Sequence, residues 1–181
     1  MRKFLMLFAA IMIVVGVTNR GWGQTSATVT GTTAGAQLIV PMTIAQDAVL
    51  HFGTINLLVG AAGTVLLPSS STTRTPNGGV ALSTVSPTAT NAAYHVTGTM
   101  HETYSLTLPA SITVTETTAN TAVMTINNIK ARFNGAGADA TTSTLSATGT
   151  DNFTVGGTLN ITAGQMAGIY AGTFDVSVDY N

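Results

Sequence analysis

Apolar and polar residues alternate with a period of two through the chain beyond residue 23, and no stretch there combines helical apolar spacing with good caps. Tyr94-His95-Val96, Tyr104-Ser105-Leu106-Thr107-Leu108 and Ile112-Thr113-Val114-Thr115 each set apolar side chains on one face and polar ones on the other. Ala122 to Phe133 is a longer run with Met124, Ile126 and Ile129 facing inward. The three-residue step from Ile126 to Ile129 breaks the alternation and predicts a bulge near Asn127-Asn128. The C-terminus is the clearest case. Phe174, Val176, Val178 and Tyr180 share one face, and Thr173, Asp175, Ser177 and Asp179 share the other. Such a segment is a half-buried antiparallel strand.

Turn signals punctuate these runs at the short intervals of a sandwich. Pro76-Asn77-Gly78-Gly79 is the strongest, followed by Gly156-Gly157 and Asn134-Gly135-Ala136-Gly137. Pro109 lies between two alternating runs and suits a bend or an edge. Ser69 to Thr75 contains no apolar residue and is expected as an exposed loop. The fold class predicted is all-β, an antiparallel β-sandwich of two packed sheets over residues 37–181, with almost no helix.

The first residues read differently. Arg2 and Lys3 precede an apolar run from Phe4 to Val17, too short for a comfortable membrane span of about 20 residues. Gly21-Trp22-Gly23 supplies the small residues of a cleavage site, so residues 1–23 are expected to be a signal peptide, with cleavage after Ala27 as the alternative. The mature protein then has no stable membrane span. It would be exported through the inner membrane to the periplasm, cell surface or medium. Residues 24–36 are Thr, Ala, Gly and Ser with the single valine Val29. They are either a flexible tail or a strand in need of a partner.

Composition sharpens this picture by what it lacks. Without residues 1–23 the cations are Arg74, Lys130 and Arg132 against seven acids, a net charge of −4. Three scattered cations make no footprint for nucleic acid or anionic lipid. The chain has no cysteine, so no disulfide supports the fold and no lipid anchor can be attached through a thiol. Thr, Ser, Ala and Gly replace charge, which suits sheets with hydroxylated outer faces.

The candidate chemistry is sparse. His51, His95 and His101 are the only histidines, and His101-Glu102 is the only adjacent His–acid pair. His95 and His101 flank an expected hairpin, but the paired ligand spacings of zinc sites are absent, and a solvated turn is the favoured reading. His51 is expected at a strand end. No G-x-S-x-G elbow, calcium loop or phosphate-cradling glycine loop occurs. Asp175 and Asp179 share an outward face and read as solubility. Trp22 leaves with the signal, while Tyr94, Tyr104, Tyr170 and Tyr180 lie at apolar phases and read as core or sheet-edge residues. No catalytic residue, metal ligand or cofactor is expected, and the protein is expected not to be an enzyme.

Several segments taken in order carry a family resemblance. They are Leu50-His51-Phe52-Gly53-Thr54-Ile55, Gly63-Thr64-Val65, Ala93-Tyr94-His95-Val96-Thr97-Gly98 and Tyr104-Ser105-Leu106-Thr107-Leu108-Pro109. After these come Phe153-Thr154-Val155-Gly156-Gly157-Thr158-Leu159, Gly168-Ile169-Tyr170-Ala171-Gly172 and Val176-Ser177-Val178-Asp179-Tyr180. Together they resemble the bacterial domain-of-unknown-function family 4402 over about residues 35–181. Phe52-Gly53, the G-x-Y-x-G run and the penultimate Tyr180 are also similar to chaperone–usher pilins and spore-coat-U-like domains. That similarity implies an immunoglobulin-like, pilin-like sandwich lacking one strand, which a periplasmic chaperone or another copy of the chain completes by strand addition. The chain departs from the pilin pattern in having no early disulfide and few large apolar residues in 24–36. The expected function is a non-enzymatic secreted or surface structural subunit of a fimbria-like assembly. A secreted glycan- or ligand-binding module is the other reading.

Overall fold

The computed structural model describes residues 28–58, 60–118 and 121–181, and among them the chain forms fifteen strands and no helix. The expected signal peptide and residues 24–27 lie outside the described residues. The first strands in chain order are β1 (Thr43–Ala48), β2 (His51–Phe52), β3 (Ile55–Leu57), β4 (Gly63–Leu67) and β5 (Thr75–Gly78). They are followed by β6 (Val80–Leu82), β7 (Ala89–Thr90), β8 (Ala92–Thr97), β9 (Thr103–Thr107) and β10 (Ile112–Glu116). The last are β11 (Val123–Phe133), β12 (Thr142–Thr144), β13 (Thr150–Ile161), β14 (Tyr170–Ala171) and β15 (Ser177–Tyr180). Residues 28–37 are exposed and carry no strand, and residues 38–181 form a separate compact unit.

All the pairings are antiparallel. One large sheet runs β1-β8-β13-β11-β10-β14, with β4 and β5 joined to it through β13. Three small sheets, β12-β9-β15, β2-β7 and β3-β6, complete the molecule. The buried side chains explain the layering. Tyr94 and Val96 from β8, Phe133 from β11, and Phe153 and Val155 from β13 meet Tyr104 and Leu106 from β9. A second cluster joins Val65, Leu67, Ile112, Ile126, Leu159 and Ile161 of the large sheet to Phe52 and Val80 of the small hairpins. A period of two thus gives each strand one face for the core, and the result is an all-β sandwich.

Aromatic rings fill the first cluster, with Tyr94 stacked on Phe153 at 5.1 Å and Tyr104 edge-on to Phe133 at 5.8 Å. A polar contact bolts the layers together beside them. The Tyr104 hydroxyl donates to Asp151 Oδ2 at 2.9 Å, and Ser143 Oγ donates to the same oxygen at 2.6 Å. Burial, reinforced by the Asp151 carboxylate, holds the Tyr104 phenol far above the ordinary tyrosine range, so it stays a donor.

Several sequence expectations are met and several are corrected. The bulge is present: the β11–β13 register shifts between Asn127 and Lys130, and Asn128 has φ 49°. Asn134 to Gly137 starts in a turn, and Pro109 falls between β9 and β10 as the chain changes sheet. Gly156-Gly157 is not a turn but the buried interior of β13. There β13 passes from pairing with β8 to pairing with β4, and a Cβ at Gly156 would collide with Leu67 O. Pro76, Asn77 and Gly78 belong to β5, an edge strand that tolerates proline, and the bend comes at Gly79. Ser69 is buried rather than exposed, because its hydroxyl donates to Asp139 Oδ1 at 2.5 Å and its carbonyl accepts from Thr154 Oγ1 at 2.6 Å.

Candidate strand-acceptor edge

The G-x-Y-x-G run is where the last strand is aimed. Gly168 packs against the buried Glu116 side chain, and a Cβ there would lie 2.7 Å from its Cγ. Tyr170 and Ala171 pair with Glu116 and Thr115 of β10. A Cβ on Gly172 would collide with Thr113 O, so only glycine lets the two backbones approach this closely. The chain then crosses to the other layer, residues 172–176 carry no ladder, and β15 pairs with β9. The expected strand from Phe174 is therefore shorter and begins at Ser177.

The phase of this pairing defines an open edge. Asn181 N–H donates to Thr103 O at 3.1 Å beyond the Ser177–Thr107 and Asp179–Ser105 pairs. Antiparallel ladders alternate, so the N–H and C=O groups of Val178 and Tyr180 point away from β9. Among the described residues no strand pairs with that edge. Beneath it Phe174, Val176, Val178 and Tyr180 rest on the first core cluster but are only partly buried. Met42 and Ile44, leading into and lying on β1, are partly buried on the same cluster. β1 pairs only with β8, and it approaches β15 without sharing a ladder. The two layers thus leave an apolar furrow between two strands with unused edges.

Tyr180 fixes one end of the furrow. Its hydroxyl accepts from Thr99 N–H at 2.7 Å and donates to Val40 O at 2.7 Å, while Val40 N–H donates to Thr99 Oγ1 at 2.6 Å. The ring lies over Gly98, where a Cβ would collide with the Tyr180 oxygen.

The other candidate residues are dispersed. His51 sits on β2 as expected at a strand end, and its Nδ1 accepts from Gly53 N–H at 2.8 Å. His95 pairs with Asp47 at 2.7 Å across β1 and β8, with both side chains about half exposed. His101 is exposed on a turn with φ 61°, and Glu102 is partly buried. Among the described residues no group of three or more His, Cys, Asp or Glu could hold a metal ion. Asp175 and Asp179 are exposed, Tyr94 and Tyr104 are core, and Tyr170 and Tyr180 are partly buried near sheet edges. Trp22 lies outside the described residues.

Two arrangements have no local sequence signal. Arg74 donates to three backbone carbonyls, those of Phe52, Thr54 and Ser83, at 2.7, 2.9 and 2.8 Å. It passes so close to Gly53, which has φ 69°, that a Cβ would lie 2.9 Å from Nη1. That contact explains the Phe52-Gly53 pair. Asp139 accepts from Ser69 and from Arg132 Nε at 3.1 Å, and its carboxyl is held below the ordinary aspartate value, first by the Ser69 hydrogen bond and then by Arg132 against some desolvation. Arg132 also borders an open cleft of about 590 Å³ that Asp47, Asn134, Asn152 and Thr154 line with it.

A family model described as "Domain of unknown function (DUF4402)" matches residues 42–180. No curated protein matches the chain. Among the described residues no helix is long and apolar enough to cross a membrane.

Proposed function

The chain belongs to the DUF4402 family, and we propose on that premise that it is an exported, non-enzymatic structural subunit that assembles by strand addition. On this reading the sandwich is immunoglobulin-like and pilin-like, with the furrow between β15 and β1 standing for a strand that another chain supplies. The observation that carries it is the open edge of β15, with outward N–H and C=O groups over partly buried Phe174, Val176, Val178 and Tyr180. An unpaired edge over apolar side chains is what strand addition requires, because main-chain bonds give affinity and alternate side chains enter the groove. Residues 24–36 of a second copy are the donor, and a periplasmic chaperone holds the edge before assembly. Small side chains such as Val29 and Gly31 leave the backbone bonds as the main source of affinity.

Deleting residues 24–36 tests this. The shortened chain should fold and remain monomeric, while the chain that keeps them forms oligomers resistant to mild detergent. Equal assembly by both, or a monomer at high concentration with the assembly partner supplied, refutes the reading. The cleft beside Arg132 favours a second reading, a secreted glycan-binding module, because Asp47, Asn134 and Asn152 offer polar groups there. Saccharide binding lost on Asn152→Ala in a chain that stays monomeric would select it.

A further inference from the structure

The two tyrosines that close the sequence motifs each hold a set of exposed apolar residues in place, and the two sets lie at opposite ends of the longest strand. β13 has 12 residues, and at about 3.3 Å per residue a strand of that length spans roughly 40 Å. Its Thr150 end pairs with Thr97, and Gly98 N–H donates to Gly149 O at 2.9 Å. At this pole Val40 is pinned between Thr99 and Tyr180. Leu38, Ile39, Val40 and Met100 are nevertheless 87, 58, 58 and 59 % exposed.

The Ile161 end of β13 carries the second set. Asn160 pairs with Thr125, two residues from Val123. Gln165 Nε2 donates to Val123 O at 3.2 Å and to the Tyr170 hydroxyl at 2.8 Å, and that hydroxyl donates to Met166 O at 2.7 Å. Thr117 N–H donates to Ile169 O at 2.8 Å. Val123, Met166 and Ile169 are 52, 48 and 74 % exposed. Leu38 to Met42, Gly98 to Met100 and Thr162 to Ile169 contain no charged residue.

Backbone ordered by specific hydrogen bonds, yet presenting aliphatic and methionine side chains to water, has a use only when something covers it. We infer that the Leu38–Val40 and Met100 pole of one chain packs end to end on the Val123, Met166 and Ile169 pole of the next. The occupant is a second copy because one chain carries both faces, matched in chemistry and set at opposite ends. Unlike surfaces repeated head to tail build an open filament rather than a closed dimer. The contact goes beyond strand addition and stands or falls separately from it.

The absence of native cysteine makes the test direct. The full chain carrying Ile39→Cys and Ile169→Cys together is oxidised in air with a copper catalyst and run without reductant. A ladder of disulfide-linked multimers is expected from the double variant, and heterodimers from a mixture of the two single variants. Met166→Glu in the double variant should cut linkage at least tenfold while leaving the monomer's melting temperature unchanged. Homodimers from either single variant alone, with no heterodimer in the mixture, would show a symmetric contact and overturn the inference. Sedimenting assemblies with no linkage would remove the pole contact and leave strand addition standing. Linkage in a chain that fails the strand-addition test would do the reverse, and neither linkage nor assembly removes both.

Discussion

Tyr180 and Gly98 work as a matched pair, since the phenol fits over the strand end only where no Cβ intrudes. Gly98→Ala is expected to cost about 1–3 kcal/mol through overpacking. Tyr180→Phe removes the bonds to Thr99 and Val40 and should cost about 1 kcal/mol. Because the hydroxyl is also the closest atom to the intruding methyl, the double variant should lose less than the two single losses combined, by at least about 0.5 kcal/mol. Urea unfolding of the four proteins measures this, and strict additivity would mean the ring moves aside freely. Asp139 makes a pH-dependent contribution at the same scale. Its folded carboxyl titrates lower than the unfolded one, so its stabilisation is complete above the ordinary aspartate value near 4 and is lost as pH falls through the lowered folded value. Ser69→Ala removes the first cause of that depression. An NMR titration should then show the Asp139 midpoint moving up toward the ordinary value, and an unchanged midpoint would assign the shift to Arg132 instead.

Whole elements depend on where backbone meets backbone. Gly156 lies where β13 changes partner, with Leu67 O, Pro68 C and Ser69 N all within 2.6 Å of the point a methyl would occupy. Gly156→Ala should therefore cost about 3 kcal/mol, whereas Gly137→Ala, with open space around it, should fall within about 0.5 kcal/mol of neutral. Thermal denaturation of the two variants compares them. This position also shows how far sequence reaches. Alternation alone locates β8, β9, β10 and the inward residues of β11, because side-chain periodicity is a local property. It fails at Gly156-Gly157, since a doublet needed for close passage of another strand has the same composition as a turn. It fails again at Ser69, whose burial depends on Asp139, seventy positions away. The apolar face from Phe174 to Tyr180 is legible, but its incomplete cover is not. Whether a strand has a second neighbour depends on the rest of the chain. Within β15, Val178→Asp should destabilise by about 2 kcal/mol because the charge faces the core cluster, and exposed Ser177→Asp by little. Equal tolerance in urea would reverse the assigned register.

The whole molecule is expected to be less stable alone than with its furrow filled. A ligand that binds only the folded state stabilises by mass action, about 2.7 kcal/mol at a hundredfold excess over Kd. For a domain of this size each kcal/mol raises the melting temperature by roughly 2–4 °C, so the rise should be about 5–10 °C. A peptide of residues 24–36 added to the chain that lacks them should produce that rise, while a scrambled peptide should not. Stabilisation alone would not locate the contact, so the edge itself has to be altered. Val178 N–H points away from β9, and proline is tolerated on an edge when the missing N–H faces outward. Val178→Pro therefore leaves the native ladder and the apolar face in place but removes one donor from the open edge. Its own melting temperature should stay close to that of the parent, and the peptide-dependent rise should shrink by at least half. A full rise in the Val178→Pro chain would place the peptide elsewhere and separate the furrow from assembly.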